Sequence, residues 1–306
     1  MNLREWALPV YTVLTQMATG ALFTLWLVRA VNAPRIGTLE VERIVMRPVA
    51  AIWLTILVAV LGAHLHLSMP LLSFLALANL GSSWLSREIL FTVLLFLSIS
   101  SLAVLEWFVP GYLCLRAPLG WFAIVSGAAG IFCMGAIYLL PTQPAWNTPL
   151  TVASFYATAL LLGMMEIAVL LVMDLKFSEL REPDGCGPRR EVIRRTLPWL
   201  AVGATAMSFV AVFLNFAQIC RLESGGGLAR LSLDLLLGLY LPLFILRMGL
   251  PLAGGGLLLL AVATLRRTKR AVSDLMMPTY ISCLFVLVGE ILGRFLFYAT
   301  HIRLGI

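Results

Sequence analysis

The chain has 306 residues, of which 61% are apolar and only 12% charged, about half the charged share of a soluble domain. A mean hydropathy of +0.97 leaves too little polar surface to face water, so most of the exterior must meet lipid. The formal charge of +7 does not mark a nucleic-acid binder, because the basic residues sit in short loops between apolar runs and not on one polar face.

A spanning helix needs about 20 apolar residues. Eight segments qualify, near 8–30, 49–67, 88–108, 119–140, 151–173, 198–218, 238–264 and 277–299. The opening Met1–Leu8 runs into the first segment without a small-x-small cleavage site, so it is read as a retained helix and not a cleaved signal. His64 and His66 end the second segment. Glu88 opens the third, and Glu106 near its end is expected to reach the interface. A short loop at 141–150, rich in proline and carrying Trp146, precedes the fifth, which holds Glu166 with no evident partner. The longest polar stretch, 174–196, is too short to fold alone. The seventh segment contains Arg247, Pro251 and Gly254-Gly255-Gly256, a composition that kinks or breaks helices. The eighth carries Glu290, Arg294 and Tyr298, with His301 just beyond. No internal repeat is visible. The expected fold is one all-α integral membrane domain over 1–306, a bundle of about eight transmembrane helices.

Five cysteines, Cys114, Cys133, Cys186, Cys220 and Cys283, are scattered with no CxxC spacing. They read as small apolar fillers, and no metal site is expected.

Orientation follows from the Lys and Arg distribution. Of the 22 such residues, 15 lie in loops after odd-numbered helices, and five (Arg4, Arg87, Arg221, Arg230, Arg303) lie on the other side. Both termini are therefore expected outside, with the 67–88 and 141–150 loops. Those two loops carry few charges and are expected to pack against a protein partner.

Charge inside a bilayer costs several kcal/mol unless paired or hydrated, which makes each such residue a site candidate. His64, His66, Glu88, Arg247, Glu290, Arg294 and His301 all fall in the outer half of the membrane. Glu290 and Arg294, four apart, share a helix face and could pair; a structural ion pair is as good a reading as a functional one. Gly289 and Gly293 form a small-xxx-small pattern whose simplest meaning is close helix packing. A haem would need two axial histidines on facing helices. His64 or His66 with His301 could supply them, but interfacial hydrogen bonding is the simpler role. An apolar outer pocket with a carboxylate, an imidazole and an arginine suits a quinol, whose oxidation releases two protons for His and Glu to accept. Composition alone equally permits a transporter.

Specific stretches narrow this. His66-Leu67-Ser68-Met69-Pro70, then Ala76-Leu77-Ala78-Asn79 and Ser83-Trp84-Leu85-Ser86-Arg87-Glu88-Ile89, resemble the membrane anchor subunit of dimethyl sulfoxide reductase. That family has a histidine-leucine-glycine-serine-proline turn followed by a leucine-serine-x-glutamate-isoleucine helix start. Pro144-Ala145-Trp146-Asn147-Thr148-Pro149 and Gly289-Glu290-Ile291-Leu292-Gly293-Arg294, continuing to Phe297-Tyr298 and His301, are similar too, as are Glu5-Trp6 and Gln16. The likeness runs end to end. It departs at Ser68-Met69, where the family has glycine-serine, and in the extra His64; Glu166 has no counterpart.

The resemblance implies a menaquinol-oxidising anchor in the bacterial inner membrane, without haem. It would pass electrons from the quinone pool to a periplasmic iron–sulfur subunit with four [4Fe–4S] clusters. That subunit would serve a catalytic subunit holding a molybdenum bis-pterin cofactor. By position, His66 and Glu88 match the quinol-binding pair, and Arg247, Glu290 and Arg294 match positions the family also holds. His64, His301, Tyr298 and Trp146 are secondary candidates. The alternatives are a secondary transporter, disfavoured because no repeat is present and the charges cluster to one side, and a purely structural anchor.

Overall fold

The structure is a computed structural model that describes residues 3–66, 70–108, 111–181, 183–268, 271–300 and 302. Eight helices are long and apolar enough to cross a membrane. They are α1 (Leu3–Ile36), α2 (Thr38–His66), α3 (Trp84–Trp107), α4 (Leu113–Ala136), α5 (Pro149–Arg181), α6 (Gly187–Ser224), α8 (Leu241–Thr268) and α9 (Met276–Ala299); a short α7 (Gly227–Leu237) lies between α6 and α8. No strand occurs among the described residues. This is the expected outcome in lipid, where a helix satisfies its own backbone polar groups.

The helices pack mainly as neighbours in sequence, α1 on α2, α3 on α4, α5 on α6 and α8 on α9, and α5 also meets α1, α9, α2 and α4. In its most apolar window 78% of α5 is buried, against 28% for α8, so α5 is the central post. It approaches α1 closely because Gly20 and Gly163 face each other. A Cβ on Gly163 would run into the backbone of Gly20 and Ala21, and one on Gly20 into the carbonyl of Ala159. Phe209, Phe213 and Phe216 form an exposed row along α6 (Phe213 is 66% exposed), a face suited to lipid and unsuited to water.

α1 turns into α2 through Gly37, whose φ of +89° is the left-handed region that favours glycine. That junction, the start of α4 and the α5–α6 connection gather at one end of the bundle, tied by ion pairs. Glu42 takes Arg29 at 2.6 Å and Arg116 at 3.4 Å, and Asp174 takes Arg47 at 2.6 Å and Arg189 at 2.8 Å. This is the basic end. Much of the polar 174–196 stretch is helical, since α5 runs on to Arg181 and α6 begins at Gly187.

The seventh spanning segment is not broken: it is one continuous helix, α8, across Pro251 and the glycine run. α6 supports it at that point: Ser208 Oγ donates to Pro251 O and Thr205 Oγ1 to Gly255 O, both at 3.0 Å. Glu106, near the end of α3, is 3% exposed and lies within electrostatic reach of Arg116, Glu42 and Arg29 at the basic end.

Candidate functional site

The other end of the bundle is poor in charge and holds the candidate site. Residues 290, 294, 297 and 298 of α9 fall on one helical face, and that face turns inward, with Glu290 3% and Arg294 6% exposed. A Cβ on Gly289 would lie 2.7 Å from Pro251 Cδ, and one on Gly293 would collide with the Arg247 side chain. The small-xxx-small pattern therefore does what it suggests. It brings α8 against α9 and lets the side chain of Arg247 pass over Gly293.

Arg247 reaches Glu290. Its Nη1 donates to Glu290 Oε1 at 2.7 Å, and Thr158 Oγ1 of α5 donates to Glu290 Oε2 at 2.6 Å. The expected pairing of Glu290 with Arg294 is thus replaced by an interhelical pair. Arg294 turns the other way: its Nη2 donates to Gln16 Oε1 of α1 at 3.0 Å, and its guanidinium lies 3.8 Å from the Phe155 ring centroid. The cluster holds two cations and one anion, so it carries a surplus positive charge.

A cavity of about 120 Å³ opens beside these groups. Arg247, Glu290, Arg294 and Gln218 line it, and Trp146, Phe155 and Phe297 supply aromatic wall. Trp146 stacks on Phe297 (centroids 5.0 Å apart, planes 13° apart) and its Nε1 donates to Phe297 O at 2.8 Å.

The loop carrying Trp146 is fastened from α6. Arg221 donates to Pro144 O at 3.0 Å and Asn147 O at 2.6 Å, and Gln218 Nε2 donates to Ala145 O at 2.6 Å. Thr151 Oγ1 adds a bond to Trp146 O at 2.7 Å. Trp146, a secondary candidate in the sequence, thus lines the cavity. Trp146 is 7% exposed and closes the bundle's own cavity, because its carbonyl neighbours are all held from inside. Of 141–150, only Pro141, Thr142 and Pro149 are exposed.

Glu88 is buried away from this cavity. Ser83 caps α3 by accepting from Ser86 N. Arg87 binds Leu80 O at 2.8 Å and Gly81 O at 2.7 Å and stacks on Trp84, which fixes the start of the helix and turns Glu88 inward. There its carboxylate meets the Tyr11 hydroxyl, which in turn bonds Thr92 Oγ1 at 2.9 Å. Tyr138 and Tyr298 join hydroxyls at 2.5 Å and stand within electrostatic reach of both Glu88 and Arg294.

The remaining sequence candidates are scattered or outside the described residues. His64 is exposed, with Nδ1 2.9 Å from Val60 O, and joins none of these groups. The side chain of His66 and the whole of His301 lie outside the described residues. Glu166, expected to be alone, accepts from Thr55 Oγ1 at 3.1 Å. Tyr11, Tyr138, Phe155, Thr158 and Gln218 were not singled out in the sequence. They are neutral, so no charge marks them, and only their position opposite another helix distinguishes them. Among the described residues no group of three or more His, Cys, Asp or Glu side chains converges.

Residues 1–181 match the family model described as DMSO reductase anchor subunit (DmsC). The protein is 27% identical to the anaerobic dimethyl sulfoxide reductase chain YnfH of Escherichia coli (strain K12), over 98% of its own length and 96% of that relative. It is 28% identical to the C subunit of the anaerobic dimethyl sulfoxide reductase of Haemophilus influenzae, over 100% and 98%. Against the corresponding C subunit of Escherichia coli (strain K12) the identity is 26%, over 98% and 96%.

Proposed function

Because the chain belongs to the dimethyl sulfoxide reductase anchor subunit family, we propose that it oxidises menaquinol in the bacterial inner membrane. In this reading it passes the electrons to an iron–sulfur subunit docked on the charge-poor, periplasmic end. That subunit, with [4Fe–4S] clusters, feeds a molybdenum bis-pterin subunit where the terminal acceptor is reduced. The observation that carries this reading is the aromatic-walled cavity beside a buried cluster with surplus positive charge.

A quinol losing protons develops negative charge on its oxygens. Arg294 and Arg247, desolvated and held in place by Gln16 and Glu290, favour that charge as it forms. Glu290 itself is occupied on both oxygens, so its role is to orient Arg247. The protons go to Glu88 and His66, the positions that the family resemblance assigns to quinol binding. Glu88 does not line the cavity; in this reading the proton reaches it by way of the Tyr138–Tyr298 hydroxyl pair, which stands within electrostatic reach of both Glu88 and Arg294. Phe155, Phe297 and Trp146 hold the ring by stacking. Protons released on the same side as the electrons imply no net charge movement across the membrane in this step.

The test uses the assembled complex in membranes. Glu88→Ala should abolish reduction driven by a naphthoquinol while reduction driven by an artificial viologen donor persists. Full quinol-linked turnover in Glu88→Ala would remove Glu88 from the site. Tolerance of substitution at Glu88, Arg247 and Arg294 alike would leave only a structural anchor. A membrane potential generated by quinol oxidation in sealed vesicles would overturn the proton side.

A further inference from the structure

The cavity has two unlike sides. Towards α5 and α9 it is shut by Phe155, Thr158, Glu290 and Leu296, each 5% exposed or less. At its outer end stands the fastened loop with Trp146. Towards α6, α7 and α8 the lining is half-buried and mostly apolar, with Leu214, Leu236 and Phe244. Two amides interrupt it, and both are engaged within the protein. Asn215 Nδ2 donates to Ala211 O at 2.7 Å and Gln218 Nε2 to Ala145 O at 2.6 Å.

The half-buried side follows from how α6 meets α8. The two helices are pinned where Ser208 Oγ donates to Pro251 O and Thr205 Oγ1 to Gly255 O. A Cβ on Gly255 would lie 3.1 Å from Thr205 Cα, so the backbones come close there. Leu214 stands six residues beyond Ser208, and Phe244 seven before Pro251. Both are therefore about 10 Å from the pins, towards the charge-poor end. At that level the cavity lies between the helices, lined by Leu214 on one and Phe244 on the other, and Leu236 of α7 adds to its lining. The space is a wedge, narrow at the pins and open beyond them. Its rim is lipid-facing, since Phe213 and Phe216 of α6, Leu239 after α7 and Ile245 of α8 are all exposed.

We propose that the wedge between α6 and α8 seats the isoprenoid tail of the quinol and is its doorway from lipid. The ring stands beside Arg247 and Arg294, and the tail leaves past Leu214, Leu236 and Phe244. This rests on the quinol-oxidising reading above and adds where the substrate enters and what selects it. A cavity of about 120 Å³ has no room for a long polyprenyl chain, so the chain must pass out of it into an apolar medium. The sides towards α5 and α9 and towards the Trp146 loop are closed by buried groups. The wedge leads to lipid through apolar side chains, whose burial against the tail is favourable. Leu214, Leu236 and Phe244 are thus specificity-determining residues: they touch the tail and not the reacting oxygens, and they favour a prenylated quinol over a tailless one.

The experiment is steady-state kinetics of the assembled reductase in membranes with two donors, a tailless naphthoquinol and the same naphthoquinol carrying a short prenyl chain. Leu214→Trp and Leu236→Trp each put an indole into the wedge. The KM for the prenylated donor should rise about tenfold, a scale on which apolar pockets discriminate, while the KM for the tailless donor changes less than about threefold. Damage to the polar groups would raise both together, so the ratio of the two is the readout. Val93→Trp places the same ring on an exposed position of α3 and should leave the ratio at the parent's value. An unchanged ratio in both wedge variants would overturn the proposal, and so would an equal shift in Val93→Trp. Should the wedge variants fail to accumulate, the unaltered complex still decides. A naphthoquinone with a photoreactive diazirine on its first prenyl unit should label α6 beyond Ser208, α7 or the start of α8. Labelling confined to other helices would overturn the proposal. So would labelling of the wedge by a diazirine phospholipid that excess prenylated naphthoquinone fails to displace, which would make it a lipid seat only. A parent complex driven by viologen but by neither quinol would instead remove the quinol-oxidising reading, a separate result from any of these.

Discussion

Arg247 of α8 and Glu290 of α9 form a buried ion pair at 2.7 Å, and the arginine reaches it by passing over Gly293, where any Cβ would obstruct it. One glycine thus decides which arginine neutralises the carboxylate. With Glu290 taken by Arg247 and by Thr158, Arg294 is released to the aromatic ring of Phe155 and the amide of Gln16. Four spanning helices, α1, α5, α8 and α9, are joined through these side chains.

Removing one member of the pair leaves an uncompensated buried charge, at a cost of about 3–5 kcal/mol. Arg247→Leu and Glu290→Leu should each sharply lower thermal stability in detergent, while the double variant recovers much of the loss. Thermal unfolding followed by fluorescence size-exclusion measures this. Additive losses in the double variant would mean that the two side chains do not interact.

Arg294 is a different case, because its planar guanidinium lies over Phe155 while Nη2 meets Gln16. A lysine keeps the charge and loses the plane and the fork. Arg294→Lys should therefore fail to substitute. Quinol-driven turnover should fall about tenfold, the equivalent of ~1.4 kcal/mol in transition-state terms, with dye-driven turnover kept within about twofold. Retained quinol turnover in Arg294→Lys would reduce the residue to a point charge.

The eight spans were legible in the sequence because an apolar run of about 20 residues has few other uses, and Gly289 and Gly293 correctly announced a close helix contact. The polar pairing was not legible. Glu290 and Arg294, four apart, satisfy a local rule, but Arg247 competes from another helix 43 residues away, and nothing local to α9 reveals it. Glu166 had the same difficulty, with its partner Thr55 separated by 111 residues. The 11-residue α7 escaped notice because it is too short to span and its inward face, Ala229, Ser232 and Leu233, is small. The fastening of the 141–150 loop was not legible either, since the donors that hold it, Gln218 and Arg221, come from a helix that the loop sequence does not mention.

The inward orientation of Trp146 has a direct consequence for stability. Trp146→Ala removes a buried ring stacked on Phe297 and should cost about 3–5 kcal/mol, seen as poor accumulation in membranes. Trp146→Phe keeps a ring on Phe297 but loses the bond to Phe297 O and part of the buried indole, and should cost less than the alanine variant, about 1–3 kcal/mol. Binding of the iron–sulfur subunit to Trp146→Phe, measured by co-purification, should match the parent. A specific loss of that subunit from an otherwise stable Trp146→Phe protein would put the tryptophan at the partner interface.

The contact between α1 and α5 depends on two glycines that meet backbone. In lipid, helices gain little by hiding apolar surface from one another, so close backbone packing carries much of the association. A methyl group on Gly163 would meet the main chain of Gly20 and Ala21, and one on Gly20 would meet the carbonyl of Ala159. Neither is a flexible side-chain end that could step aside, so the helices must separate. Separation would also draw Gln16 of α1 away from Arg294. Gly20→Ala and Gly163→Ala should therefore each lower accumulated protein several-fold, and what survives should lose quinol-driven turnover before dye-driven turnover. Gly62→Ala is the internal control. That glycine is also within a helix, but nothing lies within 4 Å of an added Cβ, and alanine favours a helix by roughly 0.5–1 kcal/mol over glycine. Its level should equal or exceed the parent's. If all three variants accumulated alike, the α1–α5 contact would be looser than described, and the route by which α1 supports Arg294 would have to be abandoned.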